Sequence, residues 1–220
     1  MPKRILFAWE MGGNYGHVTQ IVDVAKVLRK RGAEIFIALQ NPQAMNDFSG
    51  TLECRLLQAP YQRISPLKPG EKRIMPLCYP DDLLSCGYND PKKTATLITC
   101  WRSLYDLIKP DILVAQAAPT ALLAARGSGI KTASLGGSYD VPPLQTPMPP
   151  LRYWEKTDEK TMLSHETFVL GNINQALISL KLPKLKNFCE LLETDATFLC
   201  TVKELDHYPS RQNVKYFGPF

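Results

Sequence analysis

His17 is the residue best placed by its neighbours to do chemistry. It follows a glycine-rich stretch, Gly12-Gly13-Asn14-Tyr15-Gly16, and opens an amphipathic run. A glycine turn between a strand and a helix exposes unpaired N–H groups and the positive end of the helix dipole. That end disfavours an imidazolium, so a histidine there is suited to take a proton from a hydroxyl. A capping or packing role is the plainer alternative. Phosphate binding is the other use of such a turn, but the dinucleotide fingerprint fails twice. It needs glycine at position 11, where Met11 stands, and an acidic residue after the second strand, where Gln40-Asn41 stand. A Walker loop is excluded, because no Lys-Ser or Lys-Thr follows the last glycine.

The elements around the turn explain how it would be positioned. Arg4 to Trp9 is a short apolar run that predicts a buried strand. Val18, Ile21, Val22, Ala25 and Leu28 share one helical face, and Gly32 ends that helix. Glu34 to Leu39 predicts the second buried strand. Together they form a βαβ unit with parallel strands. Further along, Asn41 to Phe48 reads as a short helix and Leu52 to Leu57 as a strand. Thr94 to Ile108 reads as a helix, Asp111 to Ala115 as a strand, and Thr120 to Arg126 as a helix. Lys131 to Leu135 reads as a strand, Asp158 to Lys181 as a long helix, and Thr197 to Val202 and Val214 to Phe217 as the last strands. Two long proline-rich segments, Pro60 to Pro91 and Gly136 to Pro150, lack periodicity and read as functional loops.

Alternating strands and helices predict an α/β fold, a Rossmann-like doubly wound parallel sheet in a single domain. Ligands bind such sheets at the C-terminal ends of the strands. The glycine turn, the residues after Ala115 and the loop after Leu135 should therefore converge.

Composition is that of an ordinary globular chain: 220 residues, 45% hydrophobic, 21% charged. No run approaches the roughly 18 apolar residues of a membrane span. Glu10 interrupts the N-terminal apolar run before it could serve as a signal peptide, so a cytoplasmic location is expected. The net charge of +5 is mild and scattered. It argues against nucleic-acid binding and allows weak, peripheral contact with an anionic membrane surface. Cys54, Cys78, Cys86, Cys100, Cys189 and Cys200 form no C-x-x-C and have no histidine at zinc spacing. They are expected to be reduced and idle, with no metal.

Three segments carry a resemblance. Gly12-Gly13-Asn14-Tyr15-Gly16-His17-Val18, with the helix and Arg31-Gly32-Ala33-Glu34-Ile35 behind it, resembles the start of GT-B fold glycosyltransferases. These are the UDP-glucuronosyl/glucosyltransferase-like enzymes and their bacterial antibiotic-glycosylating relatives. Lys109 to Ala121, then Leu123 to Arg126, Gly129-Ile130 and Leu135 to Pro143, is similar to the family's second strand–turn–helix–strand and acceptor-side loop. Val214 to Phe220 looks like its interdomain linker. The resemblance implies residues 1–213 as the acceptor-binding N-terminal domain and 214–220 as the start of the linker. The C-terminal donor domain is then missing from this sequence, or is a separate donor-binding subunit, and the chain is inactive alone.

The family implies inverting transfer of a sugar from a nucleotide-diphosphate sugar, a UDP-sugar for example. That donor is a co-substrate held mainly by the other domain, with no cofactor and no metal. The acceptor is a hydroxyl on a small hydrophobic or lipid-like molecule. His17 matches the catalytic base. Asn14, Tyr15, Gln116, Ser138, Tyr139 and Asp140 match the acceptor side, and Gly12 and Gly13 the loop toward the donor phosphates. The family also places an aspartate about a hundred residues after the histidine, and here that slot holds Gln116. An amide orients an imidazole but carries no charge. The base is then weak, another carboxylate such as Glu10 or Asp140 serves, the acceptor needs less help, or the match is a residue off. Two other readings stand beside this one. One is a non-catalytic small-molecule or lipid-binding module lined by Tyr61, Tyr79, Tyr88, Tyr139 and Trp154. The other is an NAD-type nucleotide-binding enzyme.

Overall fold

The computed structural model describes residues 2–13, 15–63 and 75–219. Its sheet has six parallel strands: β1 (Arg4–Trp9), β2 (Glu34–Leu39), β3 (Arg55–Gln58), β4 (Ile112–Gln116), β5 (Lys131–Gly136) and β6 (Ala196–Leu199). Their order is β3-β2-β1-β4-β5-β6. The direction of winding reverses between β1 and β4, the switch point at which doubly wound sheets open a ligand crevice. There Trp9 pairs with Gln116 on one side and with Leu39 on the other.

Both sheet faces are covered, so the central strands β1, β2 and β4 are apolar and buried almost throughout. Ile5, Phe7 and Trp9 pack on one side with Val18, Ile21, Val22 and Ala25 of α1 (Gly16–Lys30). Leu6 and Ala8 point the other way. They join a core with α2 (Tyr79–Leu83), α3 (Pro91–Ile108), α4 (Pro119–Ala125) and α5 (Glu159–Ser179). Leu6, Phe7, Ile21 and Val22 are fully buried, each contributing roughly 1.5–3 kcal/mol. Gly32 follows α1 at φ +89, the left-handed region that a helix-ending glycine occupies.

Four expectations shift. The segment from Pro60 to Pro91 is not wholly loop. It contains α2 and a π-type turn, Leu84–Tyr88. β3 begins three residues later than expected and ends one later, because as a largely exposed edge strand it carries little apolar signal. β6 ends at Leu199. Val214 to Phe217 is not a strand: Tyr216 makes one parallel bridge to Leu199. Among the described residues no helix is long and apolar enough to cross a membrane.

Candidate active site

The switch point is tied together by backbone. Ala117, just past β4, adopts φ +45, a left-handed conformation costing a non-glycine residue about 1–2 kcal/mol. Its carbonyl accepts the N–H groups of Glu10 at 3.3 Å and Met11 at 3.0 Å. The exits of β1 and β4 are thereby locked to each other.

His17 lies in the first turn of α1. Its ring stacks on buried Trp9, with centroids 5.3 Å apart and planes at 26°. Gly12, at φ +83, passes so close that a Cβ there would come within 2.5 Å of His17 Nε2. The turn thus needs glycine for both backbone conformation and contact.

Behind the ring lies a short relay. His17 Nδ1 is 2.7 Å from Gln116 Oε1. The amide nitrogen of Gln116 donates to Gln20 Oε1 at 3.2 Å and to Asp140 Oδ2 at 3.3 Å. Two acceptors on that side fix the amide's orientation, so its oxygen faces the histidine. Nδ1 is then the protonated nitrogen, and Nε2 keeps its lone pair. Asp140 Oδ2 is itself 3.9 Å from Nδ1 and accepts the Gly137 N–H at 3.2 Å. Gly136 makes that approach feasible, since a Cβ there would meet Asp140 Cβ at 2.8 Å. Burial raises the Asp140 carboxyl above its ordinary range. His17, the Gly137 N–H and Gln116 pull it partly back.

The loop carrying Asp140 is braced from the C-terminal segment. Arg211 donates to Val141 O at 2.7 Å and pairs with buried Asp206 at 2.9 Å. Tyr216 donates to the same Asp206 oxygen.

In front of the relay is a cavity of about 1170 Å³, within the range of small-molecule sites or slightly above it. Gly12, Gly13, His17, Tyr61, Tyr79 and Tyr139 line it, together with Glu10, Asp81, Asp82 and Asp140. The described lining residues include no lysine or arginine. Glu10 is buried and accepts the N–H groups of Thr120 at 3.3 Å and Ala121 at 2.6 Å. Burial nevertheless pushes its carboxyl up to about 8.

The other sequence candidates are placed unevenly. Gln116 supports His17 from behind and does not reach the cavity. Ser138 is turned away, its Oγ accepting the His207 N–H at 2.9 Å. Tyr15 is exposed and outside the cavity lining. Asn14 lies outside the described residues. Of the aromatic residues suggested for a binding module, Tyr88 is buried with its hydroxyl on Thr120. Trp154 is exposed beside Tyr153. Only Tyr61, Tyr79 and Tyr139 of that group face the cavity. Sequence reasoning missed Asp81, Asp82 and His165. They sit on α2 and α5, and nothing in their local spacing points to a shared cavity.

A six-stranded parallel sheet in this order, with its crevice at the switch point, has the fold of the N-terminal half of a GT-B glycosyltransferase. The solved structure of the kitacinnamycin glycosyltransferase matches 99% of this chain and 51% of its own length, with a TM-score of 0.64 at 13% identity. The calicheamicin glycosyltransferase matches 100% and 52%, with a TM-score of 0.57 at 15% identity. A glycosyltransferase from Streptomyces sp. SF2575 matches 90% and 50%, with a TM-score of 0.50 at 17% identity. The chain thus spans about half the length of the solved structures it matches. The sequence matches no protein-family model and no curated protein.

Proposed function

We propose that this chain is the acceptor-binding half of an inverting glycosyltransferase, with His17 as general base. The observation that carries the reading is the oriented imidazole: Gln116 holds Nδ1 from behind, leaving Nε2 to accept a proton beside the cavity. An acceptor hydroxyl gives its proton to Nε2 as its oxygen attacks the anomeric carbon of the donor. The bond from that carbon to the nucleotide diphosphate breaks, and the diphosphate leaves with the electron pair. A single displacement of this kind inverts the anomeric centre. The Gln116 carbonyl dipole and the Asp140 carboxylate stabilise the imidazolium that forms.

The acid-lined cavity suits an acceptor better than a diphosphate. In this reading the donor is held chiefly by a second half, equivalent to the part of the matched structures that this chain does not cover. Gly12 and Gly13 offer it only backbone. Tyr61, Tyr79 and Tyr139 give flat apolar surface to a small hydrophobic or lipid-like acceptor. The test is single-turnover transfer from a nucleotide-diphosphate sugar with the donor-binding half supplied. An inverted product whose rate depends on His17 supports the proposal; a retained product refutes it.

A further inference from the structure

A second cluster reaches the cavity that His17 lines. Cys78 precedes α2, Asp81 lies in its first turn, and His165 comes from α5. The thiol sulfur, a carboxylate oxygen and a ring nitrogen lie within 4.8 Å of one another. Among the described residues His165 Nδ1 is buried without a hydrogen-bond partner of good geometry, although Asp81 Oδ1 is only 2.7 Å away. The other oxygen, Asp81 Oδ2, is already held by the Leu77 N–H at 2.8 Å. Oδ1 is therefore fixed toward the histidine by backbone. We infer that Cys78, Asp81 and His165 form a three-ligand site for a thiophilic divalent transition ion of the zinc class.

The chemistry of the three groups fits such an ion. Thiolate, imidazole and carboxylate are the ligands zinc takes, at about 2.0–2.3 Å. Those bond lengths put tetrahedral ligands roughly 3.3–3.6 Å apart. The close nitrogen–oxygen pair would open slightly and the widest pair would draw in by about 1 Å, within side-chain rotation. One thiolate and one carboxylate balance a charge of +2. The thiol proton leaves to solvent as the metal–sulfur bond forms. Cys78 is fully buried, while Asp81 and His165 line the cavity. The sulfur is thus at the back, and the fourth position faces the cavity, as in open zinc sites. The ion would also tie α2 to α5, fixing the part of the cavity lining that Asp81 and His165 supply.

Cobalt(II), titrated into the full chain and followed by absorption, tests the site directly. One equivalent should bind, with tetrahedral ligand-field bands and a thiolate-to-cobalt charge-transfer band. Cys78→Ser should lose the charge-transfer band. His165→Ala, which alters a partly exposed ring, should weaken binding at least about tenfold. The inference is overturned by the lack of a charge-transfer band at saturating cobalt, by a band that survives Cys78→Ser, or by undiminished affinity in His165→Ala. Should Cys78→Ser not fold, the His165→Ala comparison decides alone.

Discussion

His17 and Asp140 are joined through Gln116, whose amide bonds to both: 2.7 Å to the ring nitrogen and 3.3 Å to the carboxylate. The negative charge thus stands one side chain back from the imidazole, and its orienting effect is passed on through the amide. This arrangement governs the first prediction.

Gln116→Leu keeps the volume and removes the hydrogen bond. Loss of a hydrogen bond to a group that becomes charged costs roughly 1.5–3 kcal/mol. The rate of transfer should fall about 10–100-fold. Acceptor affinity should change little, because Gln116 does not line the cavity. Steady-state kinetics with varied acceptor measure both: a loss confined to KM would show that Gln116 shapes binding instead.

Gly12→Ala should disable the turn. Its φ of +83 is unfavourable for alanine, and the new methyl would fall 2.5 Å from His17 Nε2. Stability should drop by about 1–2 kcal/mol, and transfer should drop further as the ring is displaced. Thermal unfolding and activity, measured together, check this. A variant with wild-type activity would mean that the turn does not fix the histidine.

Glu10 gives a pH signature. Its carboxyl is raised to about 8 in the folded chain against a reference of 4.5. Between those values the native state binds more protons than the unfolded state, so this group's contribution to stability falls as pH rises. The slope is at most about 1.4 kcal/mol per pH unit. Glu10→Gln imitates the protonated form and should flatten the curve, leaving the variant more stable than the parent at pH about 9. Denaturant melts across that range would show parallel curves if Glu10 were ionised throughout.

Asp206→Ala should unbrace the Asp140 loop. Asp206 pairs with Arg211 with both side chains largely buried, and it also accepts from Tyr216. Removing one partner of a buried pair costs about 3–5 kcal/mol. Chemical denaturation measures the loss, and a change below about 1 kcal/mol would show that the C-terminal segment is not a brace.

The sheet was legible where burial wrote it into the sequence. β1, α1 and β2 carry continuous or periodic apolar residues, and they lie where those patterns put them. β3 was displaced because an exposed edge strand has no such pattern. At Val214 to Phe217 β-branched and aromatic residues imitate a strand, yet among the described residues the segment's sheet pairing is limited to the bridge between Tyr216 and Leu199. His17 was legible from its glycine turn, and the place of Gln116 from the end of β4. The contact between Gln116 and Asp140 was not, since it depends on how the chain turns after β5. Cys78, Asp81 and His165 were invisible for a related reason. Residues 81 and 165 meet only because α2 packs on α5, and ligand spacing along a sequence cannot report a contact between distant helices.

In the proposed reaction His17 removes the acceptor proton. Single-turnover transfer by His17→Ala, with the donor-binding half supplied and acceptor binding measured in parallel, tests it most directly. Transfer should be abolished while acceptor affinity stays within severalfold. Unchanged turnover would rule out His17 as the base.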